Sequence, residues 1–106
     1  MKHTAFFGDG EHVFSLPIPQ LEELQRVTGA GIGGLYSRLC RVQFAYGDIA
    51  ETIRLGLIGG GMSPKDAAAL VTAYVHPRPL AETLPIALAI IETAWFGEPS
   101  KDAANG

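Results

Sequence analysis

At 106 residues the chain is long enough for one domain with a modest core and too short for two. Apolar residues make up 47% of it and charged residues only 18%, below the ordinary quarter or so, which leaves a small body with apolar surface of the kind that marks protein contact. A net charge of −3, with eight basic residues scattered from Lys2 to Lys101, excludes the concentrated positive face that nucleic acid requires; the longest apolar run, residues 84–91, excludes a membrane span.

Residues 3–16 read as a β-hairpin. Phe6-Phe7 and Val13-Phe14 supply strand formers, and Gly8-Asp9-Gly10 supplies the turn. With Asp9 and Gly10 as the central pair, the turn is type I′. Gly8 then faces Glu11, Phe7 faces His12, Phe6 faces Val13 and Ala5 faces Phe14. An isolated hairpin is barely stable in water, so one face has to pack on helices or join another chain's sheet.

Pro17 and Pro19 end the hairpin and suit the start of a helix. Leu21, Leu24 and Val27 recur at helical spacing, which places the first helix over 18–28 with a stop at Thr28-Gly29. Glycines 29, 31, 33 and 34 form a flexible joint. Leu35, Leu39 and Val42 mark a short second helix over 33–42. The third helix opens at Gly47-Asp48, with Asp48 as N-cap and Glu51 at N3, and Ile49, Ile53 and Leu57 on its apolar stripe. Gly59-Gly60-Gly61 ends it.

Ser63-Pro64-Lys65-Asp66 is the clearest local signal: a serine cap, proline at the first helical position and an acidic residue at the positive helix end. That fourth helix carries Ala67, Leu70, Val71, Tyr74 and Val75 on one face and stops before Pro77. The last helix begins near Pro79 and runs to about Phe96. Leu84, Ala87, Leu88, Ile91 and Trp95 share a face, while Ile86 and Ile90 fall off it. Pro85 either kinks this helix or moves its start to Thr83 as a cap. The expected fold is mainly α: a small bundle of four to five helices with an N-terminal β-hairpin, forming one domain over 1–97, followed by a flexible tail over 98–106.

No arrangement of polar residues calls for catalysis, a cofactor or a metal. Asp48 and Glu51 sit in a first helical turn, where capping explains them. Glu82 and Glu92 are too far apart along one helix for a retaining carboxylate pair. In the hairpin register above, His3 and His12 are not neighbours, and His76 stands at a helix end where a cation is favoured. Cys40 lies beside the Leu39 face of a short helix and reads as a buried, inert thiol; a single cysteine permits no internal disulfide, and with no basic leader at the start the expected location is cytoplasmic. Neither Gly29–Gly34 nor Gly59–Gly61 has the spacing of a phosphate loop. The chain is not expected to be an enzyme. Trp95 and Phe96 carry the contact signal: adjacent helical residues point about 100° apart, so one small core can hardly take both. With Tyr74, Leu88 and Ile91 they form the expected partner-binding set, and Tyr36 is a further aromatic anchor.

The blocks E-T-I-R-L-G-L-I-G-G-G-M-S-P at 51–64, A-A-x-L-V-x-x-Y-V at 67–75 and R-P-L-A-E-T-L-P-I-A-L-A-I-I at 78–91 resemble the gene transfer agent family of small tail proteins, found with phage-like tails. The hairpin and L-E-E-L-Q-x-x-T-G-x-G-I at 21–32 resemble the same family's opening, so the resemblance covers about residues 6–97. It implies a tail assembly chaperone that binds and solubilises a tape-measure protein before the tube assembles. The expected partners are that protein and other tail proteins, with self-association as a further option. The same resemblance carries a second description, a structural tail component such as a tube or connector subunit. Tube subunits of long-tailed phages are rich in β-sheet, and one hairpin followed by helices favours the chaperone reading. The family brings no catalytic residues to carry over.

Overall fold

Two strands open the chain, β1 (Lys2–Phe7) and β2 (Gly10–Ser15). Five helices follow: α1 (Ile18–Thr28), α2 (Ile32–Cys40), α3 (Tyr46–Gly59), α4 (Pro64–Tyr74) and α5 (Leu80–Phe96). The computed structural model describes residues 1–97, so the tail expected over 98–106 lies outside the described residues. The mainly helical class with an N-terminal hairpin is as the sequence predicts.

The hairpin register differs from the expected one. Phe7 pairs with Gly10, Phe6 with Glu11, Ala5 with His12 and His3 with Phe14. The two central turn residues are therefore Gly8 and Asp9. Gly8 has φ +66° and Asp9 does not share the left-handed region, which is the type II′ pattern rather than type I′. The reason is local: type I′ over Asp9-Gly10 would force Asp9 to positive φ, whereas type II′ places that demand on glycine alone. Tyr74 also presses its ring on Gly8, leaving no room for a side chain there. Each partner moves by two positions, which preserves the faces: Phe7 and Phe14 are buried, and Phe6 and Val13 are exposed.

α1 has the predicted bounds, with Pro19 in its first turn and Gly29 ending it at φ +71°, its N–H bonded to Gln25 O. Across the glycine joint, Gln25 Oε1 accepts the Ile32 N–H at 2.9 Å, and α2 starts at Ile32. α2 stops at Cys40, two residues short of the expected end. Val42 turns left-handed (φ +57°), its N–H bonds Leu39 O, and the Gln43 N–H bonds Arg38 O at 2.8 Å. This is a Schellman closure, with a β-branched residue where glycine is the usual choice. Val42 is consequently exposed rather than part of an apolar stripe. Cys40, expected buried, is exposed, because Leu39 takes the inward position of that last turn.

α3 begins three residues earlier than predicted, with Ala45 at the N-cap position, and Asp48 is its N3 residue. The buried Asp48 carboxylate reaches back to accept the Ala45 N–H at 2.9 Å and receives Arg38 Nη1 at 3.2 Å. It satisfies a free backbone donor from inside the helix. Glu51, expected at N3, instead pairs with Arg54 at 2.6 Å. α4 matches expectation, with Ser63 Oγ accepting the Asp66 N–H at 3.2 Å. α5 starts at Leu80, so Pro85 is internal and lies on the exposed side; Thr83 is not a cap but a buried residue of the first turns. The inward face of α5 is Thr83, Ala87, Ile90 and Ile91, rotated from the expected stripe, with Leu84 and Leu88 half-buried.

The cause of that rotation is Gly56. A Cβ there would stand 3.2 Å from Ile90 and 3.3 Å from Phe14, so the bare backbone of α3 gives Ile90 its seat. α3 is the central element. It packs against α1, α4, α5 and β2 and buries Ile49, Ile53, Leu55 and Leu57. At its end, Gly59 and Gly60 lie so close to the Ser15 and Val13 carbonyls that neither position could accept a side chain.

Gly59→Ala is expected to cost about 3 kcal/mol, at the upper end of overpacking effects, because backbone must move to admit the methyl. Gly47→Ala, in the open first turn of α3 with nothing near its Cβ, is expected to stabilise by about 0.5 kcal/mol. Val42→Gly is expected to stabilise by about 1 kcal/mol through relief of the left-handed valine. Urea melts of the three variants check all three signs.

Candidate functional site

Three aromatic rings meet where α5 ends beside α2. Trp95 is 51% exposed and Phe96 71% exposed. Tyr36 of α2 stands between them, its ring centre 5.7 Å from Trp95 and 6.3 Å from Phe96, edge-on to the latter. Trp95 rests across α2 at Gly33, where a Cβ would be in ordinary contact with the indole at 3.5 Å. Met1, also exposed, approaches the end of α5 at Gly97. The result is a partly exposed aromatic cluster where the end of α5 meets α2.

The face is held in position. The Tyr36 hydroxyl donates to Glu92 Oε2 at 3.0 Å. That bond, followed by desolvation and the negative charge of Glu92, pushes the phenol up to about 12. Glu92 sits three residues before Trp95 on α5, so the bond ties α2 to α5 immediately below the rings.

Of the expected partner-binding residues, Trp95 and Phe96 are on this face, and Ile91 and Tyr74 lie in other surroundings. Ile91 is fully buried and Leu88 is half-buried against the core, so Ile91 offers no surface to a partner. Tyr74 lies against the hairpin turn, edge-on to Phe7 at 6.1 Å. There it lines a separate open groove of 570 Å³ with Phe6, Gly8, Pro77, Glu82 and Ile86. Arg78 and Glu82, which also line it, pair at 2.8 Å. Phe6, 69% exposed, is the residue that sequence reasoning passed over. Its signal was present: neighbouring residues of a strand point to opposite faces, so Phe6 and Phe7 could not both go inward.

The ionisable residues are dispersed. His12 Nε2 meets Asp9 Oδ1 at 2.7 Å, His3 faces Phe14, and His76 packs on Tyr46. Among the described residues, no three His, Cys, Asp or Glu side chains gather as metal ligands would. Among the described residues, no helix is long and apolar enough to cross a membrane.

A family model described as phage tail tube protein, GTA-gp10, matches residues 1–97. The match spans most of the sequence, and the chain belongs to that family. No curated protein and no solved structure matches it.

The Tyr36–Glu92 bond gives a pH signature. Folding raises the phenol from its ordinary 10.0 to about 12, so the bond's contribution is present below the ordinary value and is lost as pH rises through about 12. In an ultraviolet titration, the difference between the native chain and Tyr36→Phe is expected to show this late step. Glu92→Gln is expected to move it down towards 10, since the largest cause is removed.

Proposed function

We propose that this member of the phage tail tube family serves as a structural component of a phage-like tail, a tube or connector subunit, and that Trp95, Phe96 and Tyr36 are the face by which it meets a neighbouring tail protein. The family description carries the tail role. The family resemblance, taken with the helical pattern, puts the tape-measure chaperone first; the description of the matched family supports the structural role better. The aromatic face supports a working surface: exposed Trp and Tyr clusters are the commonest anchors of protein interfaces. Two of its rings are already held, the indole against Gly33 and the phenol by its bond to Glu92, which reduces the ordering that opposes binding. The reading requires no reaction, and none of the residues above is given a catalytic part.

One observation favours the chaperone as a second reading. The described residues hold five helices and a sheet of only two strands, a poor match to a subunit that builds rings from sheet. An apolar face on such a helical body suits docking of an amphipathic helix, as a long tape-measure protein would present repeatedly along its length.

Mass analysis of purified particles separates the two. Many copies per particle are expected for a structural component. Absence from particles, together with a tape-measure segment that stays soluble only on co-expression, would replace that reading with the chaperone. The face itself is tested by Trp95→Ser with Phe96→Ser. Losing one hot-spot ring is worth about 2 kcal/mol, or roughly 30-fold in affinity for the captured tail protein. The melting temperature should change little because both rings are largely exposed; unchanged capture would remove the assignment of this face.

A further inference from the structure

Negative potential gathers at the end of α5. A helix's final carbonyls carry partial negative charge, and the last turn of α5 holds no basic residue to offset it. α1 and α2 differ, with Arg26 and Arg38 in that position. Glu92, one turn from the same end, adds a full charge. It is exposed, and the group that its Oε2 engages is the neutral Tyr36 hydroxyl. The carboxylates of Glu23, Asp48, Glu51 and Glu82 each meet an arginine. Among the described residues, Glu92 has no cation at such a distance.

The rings stand beside this carboxylate. Glu92 precedes Trp95 by three residues and Phe96 by four, the spacings that make neighbours on a helix surface, about 5–6 Å between Cβ atoms. An aromatic ring is negative on its faces, and both rings are more than half exposed. Ring faces, carboxylate and helix end therefore favour positive charge at one place, within about a turn of helix.

We propose that this cluster receives an arginine side chain, carried by an otherwise apolar segment of the neighbouring protein. The inference rests on the reading of Trp95, Phe96 and Tyr36 as the contact face. The charge of Glu92 selects a basic residue and rejects an acidic one. Guanidinium suits the place better than ammonium. Its plane stacks on a ring, its fork of donors matches a carboxylate, and it is the more weakly hydrated of the two cations. Glu92 Oε2 keeps its bond from Tyr36, and Oε1 is left to accept from the arginine. The rest of the segment lies on ring carbon, which is why it is apolar.

Trp95 is the one tryptophan of the chain, so its emission reports on this site. The probes are two helical peptides with the same leucine face. One carries arginine beside that face, the other citrulline, which keeps the shape and loses the charge. Titrated into the full chain, both are expected to perturb Trp95. The arginine peptide is expected to bind roughly tenfold more tightly, from one cation–ring contact and one exposed ion pair together. Glu92→Gln still accepts from Tyr36 but lacks the charge, and is expected to cut the ratio to roughly threefold. Equal binding of the two peptides by the native chain would overturn the arginine site and leave the face as a purely apolar contact. A ratio that Glu92→Gln does not change, or no binding of either peptide, would overturn it as well. The face itself fails on a different result: a labelled arginine peptide that binds the Trp95→Ser, Phe96→Ser chain as tightly as the native one.

Discussion

A helix can lie against the main-chain edge of a strand only where it brings no side chain to the contact. The end of α3 meets that condition at Gly59 and Gly60, which sit against the Ser15 and Val13 carbonyls. One turn earlier, Gly56 lets Ile90 of α5 and Phe14 of β2 approach the same helix. Each helical glycine costs about 1 kcal/mol against alanine. Full burial of Phe14 and Ile90 returns more, at roughly 1.5–3 kcal/mol per large apolar side chain. A hairpin that would be barely stable alone is thereby fixed to the central helix, and α5 is rotated into its observed orientation. The same contact covers the outer edge of β2.

The local signals were legible because they are local. Ser63-Pro64 with Asp66 fixes the start of α4 through one hydrogen bond and one proline ring, and Pro19 and Gly29 bracket α1 in the same way. What the sequence did not show depended on partners distant in the chain. Asp48 reads as an N-cap until Arg38, ten residues earlier, is seen to draw its carboxylate inward. Gly59-Gly60 reads as a helix stop, which it is, but its contact with β2 has no local trace. The stripe on α5 was misplaced by the same cause: a nearly all-round apolar helix has no preferred face of its own, and Gly56 on another helix chose Ile90 over Leu84 and Leu88. In the hairpin, the pattern gave the faces correctly while the register shifted by two, since parity is set by alternation and register by the turn.

Two adjacent aromatic pairs show how far simple geometry reaches. Phe6 and Phe7 lie on a strand, so one points in and one out. Trp95 and Phe96 lie on a helix about 100° apart, and there both are outside. α5 has already committed Thr83, Ala87, Ile90 and Ile91 to the core, and Trp95 falls past the end of that face onto α2 at Gly33. The candidate site could be placed at 95–96 from sequence. Its companion Tyr36 could be named there but not positioned, because its place depends on how α2 crosses α5. Tyr74 and Ile91 belong to other surroundings: the hairpin turn and the core.

The chemistry that the aromatic face presents bears on what assemblies a chain of this shape can build. The polar groups at the aromatic face, the Tyr36 hydroxyl and the Glu92 carboxylate, are engaged with each other, so the surface left over calls for a largely apolar counterpart. Where such a patch meets a different patch on the next molecule, the contact does not close by a twofold axis and can continue into rings or longer arrays, an arrangement suited to a component of a tail.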